Sequence, residues 1–234
     1  MSNEIFAGLQ KLTLLDFPGY VACTLFTRGC NMRCPFCHNA SLVVRAEEQK
    51  MYTNEEILHF LQKRRGMLDG VAITGGEPTL MHGLPEFMAK VRDLGYKIKL
   101  DTNGTRPNVL RDIIDRELVD YVAMDIKNSR SRYGETVGFD SSYDLAPIDE
   151  SIAILREGKV DFEFRTTVSK TFHSHANIFA MGEWLAGEEK FFLQQFKDSG
   201  DLIGDKVEPY GEEEMNTLLD LIRRFVPNAQ LRGV

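Results

Sequence analysis

The stretch Lys97-Ile98-Lys99-Leu100-Asp101-Thr102-Asn103-Gly104, followed by Pro107 to Arg116 and then by Tyr121-Val122-Ala123-Met124-Asp125-Ile126-Lys127, decides the fold. It reads as strand, helix, strand. The pattern extends in both directions. Upstream, Val21-Ala22-Cys23-Thr24-Leu25-Phe26 reads as a buried strand, and Thr53 caps a helix with Glu56 three positions on, running to Arg65 before Gly66 stops it. Gly70 to Thr74 is the next strand and Leu84 to Leu94 the next helix. Downstream, Ile152 to Glu157, Phe162 to Val168, Ile178 to Leu185, Phe191 to Gln195 and Met215 to Phe225 continue the alternation less regularly, and Asn128 to Leu145 is the expected long loop.

Six strands joined by crossover helices predict an α/β fold with a parallel sheet, either open and doubly wound or a partial barrel. In both, ligands collect beyond the C-terminal ends of the strands. Cys30, Gly75-Gly76-Glu77, Asp101-Thr102-Asn103-Gly104, Asp125 and Lys127 all follow predicted strand ends, which gathers them at one rim. No repeat, low-complexity tract or linker divides the chain, so residues 1–234 are expected to form a single domain with its core at about 16–226.

An excess of 35 acidic over 28 basic residues, with no basic tract, lacks the electrostatic footprint of a nucleic-acid binder. No apolar run approaches the roughly 20 residues that cross a bilayer, and Met1 to Leu15 lacks a signal pattern, so a cytoplasmic protein without membrane or nucleic-acid partners is expected. Thiols stay reduced there. Four cysteines between positions 23 and 37, with none elsewhere, therefore argue for metal rather than disulfides.

Cys30, Cys34 and Cys37 have C-x3-C-x2-C spacing on one short loop. Three thiolates can ligate three irons of a 4Fe-4S cluster and leave the fourth open for a cofactor or substrate. Other readings compete. Zinc can recruit His38 or Cys23 as a fourth ligand, although structural zinc usually draws on two separated ligand pairs. Cys34-Pro35-Phe36-Cys37-His38 also matches the C-x-x-C-H haem pattern, which leaves Cys30 unexplained. A buried apolar role suits a lone cysteine such as Cys23 better than three in eight residues.

The pattern C-x3-C-x-aromatic-C, with Phe36 as the aromatic, resembles the signature of the radical S-adenosylmethionine superfamily. Gly8 to Lys11, Asp16 to Gly19, and Thr27-Arg28-Gly29-Cys30 on to Cys37-His38-Asn39 resemble the activating proteins of glycyl radical enzymes, most of all those of anaerobic ribonucleoside-triphosphate reductase. The resemblance implies a partial (βα)6 barrel with parallel strands. It implies one 4Fe-4S cluster on Cys30, Cys34 and Cys37, reductive cleavage of S-adenosylmethionine to a 5′-deoxyadenosyl radical, and a glycyl radical left on a partner enzyme. An electron donor such as flavodoxin or ferredoxin is implied as a second partner. No side chain need act as acid or base.

Gly75, Gly76 and Glu77 resemble the motif that holds the cofactor's amino group; read alone, they are a turn whose glycines admit a ligand and whose carboxylate accepts from an ammonium. Asp101, Thr102 and Asn103, with Asp125 and Lys127, resemble residues that position the cofactor and, in some members, a monovalent cation; the bland reading is an Asn-Gly turn and a Lys127–Asp salt bridge. Arg165 points either inward to a carboxylate or out to solvent, and Gln194 or Gln195, the latter preferred, faces the cofactor by resemblance. His59, His82, His173 and His175 lack metal spacing, and His38 reads as loop packing. Two alternatives stand beside the activase: a radical enzyme acting on a small molecule, and a non-enzymatic zinc or iron-sulfur module.

Overall fold

A computed structural model describes residues 4–198 and 200–234; Met1–Asn3 and Ser199, part of the expected 1–234 domain, lie outside the described residues. In chain order the strands are β1 (Glu4–Thr13), β2 (Ala22–Thr27), β3 (Tyr52–Thr53), β4 (Gly70–Gly75), β5 (Lys97–Thr102), β6 (Tyr121–Asp125), β7 (Asp161–Val168), β8 (Phe191–Gln195) and β9 (Gln230–Arg232). The helices are α1 (Ala40–Val44), α2 (Asn54–Lys63), α3 (Leu84–Asp93), α4 (Pro107–Asp115), α5 (Tyr133–Thr136), α6 (Ala146–Arg156), α7 (His175–Trp184) and α8 (Glu212–Ile222). By contacts the chain divides into two compact units. The first holds the described residues up to Asn31, Ser41–Ala123 and Ala146–Asp161; the second holds Met32–Ala40, Met124–Leu145 and Phe162–Val234.

In the first unit the strand order is β3-β1-β2-β4-β5. β2, β4 and β5 run parallel, with Ala22 beside Gly70 and Gly70 beside Lys97. Cys23, Leu25, Val71, Ile73, Ile98 and Leu100 are fully buried. Parallel strands need both faces covered, so their centres read as apolar runs. α2, α3 and α4 supply buried cover through Ile57, Leu61, Phe87, Met88, Val91, Leu110 and Ile113. The capping box expected at Thr53 and Glu56 is formed: Glu56 N–H donates to Thr53 Oγ1 at 3.1 Å and Thr53 N–H to Glu56 Oε2 at 2.8 Å. β1, which the sequence pattern did not announce, pairs antiparallel with both β2 and β3.

In the second unit β7 and β8 are parallel from Phe164 beside Phe191 to Val168 beside Gln195, and β9 runs parallel to β8. Phe164, Phe191 and Leu193 are buried with Ile178 and Met181 of α7 and Met215, Leu218 and Ile222 of α8. The segment 128–145, expected as loop, contains the short helix α5 and a single 3-10 turn, Arg130–Arg132. Both are too short to leave a helical period in the sequence. The expected α/β class with mostly parallel strands is thus present. Among the described residues no helix is long and apolar enough to cross a membrane.

Candidate functional site

In the first unit, the chain leaving β2 is pinned before it reaches Cys30. Gly29 N–H donates to Leu42 O at 2.8 Å, while Gly29 O accepts from Glu77 N–H at 2.8 Å and Thr27 O accepts from Gly76 N–H at 2.9 Å. The Gly-Gly pair after β4 is required by this closeness. A Cβ on Gly76 would lie 1.8 Å from Gly29 O, and one on Gly75, whose φ is +117°, would lie 2.4 Å from the Thr27 backbone. Both glycines therefore serve close backbone approach.

Glu77 is 1% exposed. Its Oε1 accepts from Thr79 N–H at 3.1 Å, from Thr102 Oγ1 at 2.8 Å and from the Thr79 hydroxyl; its Oε2 accepts from Asn103 N–H at 2.7 Å. A carboxylate has about four acceptor sites, so these donors occupy the group. Burial pushes its pKa up, and the same donors oppose that. The Glu77 carboxylate thus ties the turn after β4 to the turn after β5.

That second turn carries Asn103, which is 4% exposed. Asn103 Oδ1 accepts from Thr105 N–H at 3.0 Å and from Thr105 Oγ1 at 2.7 Å, while Nδ2 donates to Asn31 Oδ1 at 3.0 Å and to Cys30 Sγ at 3.7 Å. Asn31 Nδ2 closes the ring onto Thr105 Oγ1 at 2.9 Å. The Thr102 hydroxyl also accepts from Gly104 N–H at 3.1 Å. Asp101 instead turns to Lys99, an ammonium only 3% exposed, in a close ion pair.

The second unit holds Cys34, which is buried, and Cys37, which is half-buried. Burial pushes the Cys37 thiol up, opposed by the Asn39 backbone and the Lys127 ammonium. Phe36 is buried and packs on Phe172, ring centroids 5.6 Å apart, and on His173, 5.9 Å apart. Asp125 Oδ1 accepts from Arg165 Nε at 2.7 Å and Oδ2 from Lys127 Nζ at 3.0 Å. Burial alone would raise the Asp125 carboxyl, but Arg165 and Lys127 outweigh it and hold the pKa well below the usual range. Burial would lower Lys127, yet Asp125 reverses that and raises it. Arg165 therefore points to a carboxylate, and the salt bridge named for Lys127 is present.

His173 is fully buried. Its Nδ1 accepts from Ser169 N–H at 3.2 Å, which leaves Nε2 to carry the proton and donate to Lys127 O at 2.8 Å. Burial pushes its pKa down to about 4. Gln195 Nε2 donates to Tyr210 O at 2.7 Å, and the Tyr210 hydroxyl donates to His173 O. His38 stacks on Phe196 at 5.4 Å.

None of the four cysteines is in a disulfide. Among the described residues no group of three or more His, Cys, Asp or Glu side chains is arranged to hold a metal ion. Thiols are the soft donors that an iron-sulfur cluster takes, one to each iron, so cysteine sulfurs suited to a cluster need not converge on a single point. Sequence reasoning missed Lys99, Asn31, Thr105 and the inward role of His173. Lys99 is buried two residues before the half-buried Asp101, its ion-pair partner on the same strand.

The Radical SAM superfamily profile matches residues 24–171. The chain belongs to that superfamily, whose members work with S-adenosylmethionine and a 4Fe-4S cluster. It is 29% identical over 237 residues, 99% of this chain and 97% of the relative, to a protein of Methanocaldococcus jannaschii provisionally named as a glycyl-radical enzyme activating enzyme. It is 30% identical over 166 residues to the 7-carboxy-7-deazaguanine synthase of Koribacter versatilis, covering 69% of this chain and 67% of that enzyme. SuiB of Streptococcus suis bound to S-adenosylmethionine has the same fold, with TM-score 0.68 at 16% identity over 88% of this chain; the chain spans about half, 48%, of SuiB.

Proposed function

We propose that this radical S-adenosylmethionine enzyme is an activase that generates a glycyl radical on a partner enzyme, with anaerobic ribonucleoside-triphosphate reductase as the partner. One observation supports the activase reading: the correspondence with the M. jannaschii protein provisionally named as an activating enzyme, 99% of one chain against 97% of the other; the choice of reductase rests on the resemblance of residues 8–39. The whole chain is taken as one domain with its core at about residues 16–226.

Cys30, Cys34 and Cys37 would hold the cluster, which supplies one electron to split S-adenosylmethionine. This chain's own residues bind and orient. Gly75, Gly76, Glu77, Thr102 and Asn103 of the first unit, and Phe36, Asp125, Lys127, Arg165 and Gln195 of the second, are the proposed cofactor contacts. Asp101, paired with Lys99, keeps a carboxylate for polar contact or for a monovalent cation. Flavodoxin or ferredoxin is the proposed electron donor, and the cytoplasm the proposed location. Preorganisation of this kind positions a reactant without reorganising at the moment of reaction.

Anaerobic reconstitution with iron and sulfide, followed by reduction with S-adenosylmethionine and the reductase, should yield 5′-deoxyadenosine and a glycyl-radical electron paramagnetic resonance doublet. A colourless zinc protein without that product would overturn the cluster reading. The likeness to 7-carboxy-7-deazaguanine synthase favours a second reading, a radical enzyme acting on a small molecule. Formation of 7-carboxy-7-deazaguanine, with no radical on the reductase, would select it.

A further inference from the structure

We infer that Asn103 is a positioning residue for the cluster: its side-chain amide donates to the sulfur of Cys30 and raises the potential at which the cluster takes its electron. The inference rests on the reading that Cys30 is a cluster ligand, and goes beyond it in assigning Asn103 to sulfur.

The orientation of the amide follows from its partners. Thr105 N–H can only donate, so the atom it meets at 3.0 Å must be Asn103 oxygen. The nitrogen is thereby turned the other way, toward Cys30 Sγ at 3.7 Å and Asn31 Oδ1 at 3.0 Å, one hydrogen for each. The backbone of Asn103 is held independently, its N–H on Glu77 Oε2 at 2.7 Å. Glu77 in turn gives its own N–H to Gly29 O, the residue before Cys30, at 2.8 Å. A closed path of hydrogen bonds thus fixes both ends of the contact.

As a protonated thiol, Cys30 directs its S–H to Asn31 Oδ1 at 4.0 Å. A ligating thiolate has no such proton, whereas Asn103 remains a donor. Reduction adds negative charge that is shared with the ligand sulfurs, and a hydrogen bond to sulfur stabilises it, which moves the potential up. Burial of Asn103 strengthens the effect, because little water competes.

The test is a mediated redox titration of the reconstituted enzyme, reading the cluster's absorbance and its reduced-state resonance signal. Asn103→Leu removes the donor at similar volume. Asn103→Ala is the second variant, and it retains the backbone bond to Glu77 even where leucine disturbs the turn. Each should make reduction about tenfold less favourable at a fixed potential, a midpoint about 59 mV more negative for one electron. Ser151→Ala is the control, since the Ser151 hydroxyl donates to Gly104 O at 2.7 Å and so loosens the same turn without reaching sulfur. It should leave the midpoint unchanged. Clusters that assemble in both Asn103 variants with the wild-type midpoint overturn the inference, as does an equal shift in Ser151→Ala. Failure of the wild-type chain to bind any cluster would instead overturn the ligand reading beneath it.

Discussion

Substituting Gly76 by alanine adds one methyl group at the tightest backbone approach in the first unit. The new Cβ would lie 1.8 Å from Gly29 O and 2.5 Å from Gly29 C. Carbon in optimal contact sits about 3.5–4.0 Å from its neighbours, so the strands' ends must part by about 1.5 Å or more. The obstruction is backbone on both sides, so no side chain can rotate away. Overpacking of this kind costs about 1–3 kcal/mol. The bond from Glu77 N–H to Gly29 O is lost with it, which adds about 1 kcal/mol. A total of about 2–4 kcal/mol lowers Tm by roughly 5–15 °C in a chain of this size. The chemical consequence is larger, because Gly29 directly precedes Cys30 and a misplacement of about 1 Å can cost about a hundredfold in rate. Calorimetry and iron analysis after reconstitution provide the check, with Gly158→Ala as comparison. Gly158 has a φ of +70° and open space around its missing Cβ, so alanine there costs about 1–2 kcal/mol of backbone strain alone. G76A should lose both stability and iron, and G158A stability only. Full iron occupancy in G76A, or equal iron loss in both, would refute the claim that this contact sets the position of Cys30.

Cys34→Ala should abolish cluster assembly while Cys23→Ala leaves it intact, because burial in β2 pushes the Cys23 thiol up to about 12 and withholds its thiolate; iron content of the two variants decides, and equal loss would count against the ligand assignment. His173 gives the fold a pH dependence. Its folded pKa is about 4 against an ordinary 6.5, so the unfolded chain gains the proton first. Stability is full above pH 6.5 and falls by about 3 kcal/mol as pH drops toward 4; urea titrations of the metal-free chain at the two ends measure the slope, which His173→Phe should flatten. Arg232→Ala should cost about 3 kcal/mol, since it strips the guanidinium fork, 2.7 Å at Nη2, from the fully buried Glu163 carboxylate. A Tm drop that Glu163→Leu fails to recover in the double variant would show that the stacking of Arg232 over Phe192, at 3.4 Å, matters more.

β2 and β4 were legible because each is buried over most of its length and bounded by turn residues, and the helix from Asn54 announced itself through its capping box. β1 was not, since Gly8, Gln10 and Lys11 dilute its apolar content and its antiparallel partner is 22–27, a strand already accounted for. At the site, residue types carried the signal and their directions did not. A glutamate after a Gly-Gly pair reads as an acceptor; that four donors of its own chain use it up depends on two turns meeting, which spacing cannot express. The same holds for His173, one of several scattered histidines in the sequence, whose two ring nitrogens are both engaged by backbone in the folded chain.

The titratable groups share one property that bears on the chemistry. General acid–base catalysis works best with a pKa near the operating pH. Asp125 is held far below that range by Arg165 and Lys127, and Lys127 is held above it by Asp125. Burial keeps His173 neutral from the other direction. Glu77 is moved upward, but each of its oxygens is engaged by donors of its own chain, and at 1% exposure it has little access to water for proton exchange. Asp125, Lys127 and His173 are thus each held in one protonation state, and moving a proton at any of them means first breaking an ion pair or a buried hydrogen bond. Such groups are suited to holding charge in place. That suits a reaction in which the bound cofactor moves electrons and a hydrogen atom, and in which the protein's task is to orient the reactants and keep water away. A substitution that removes one of the two cations from Asp125, such as Arg165→Leu, is therefore expected to disturb cofactor binding rather than to introduce a pH optimum. A new ionisation between pH 6 and 8 in the cleavage rate of that variant would show that proton transfer had been part of the mechanism all along.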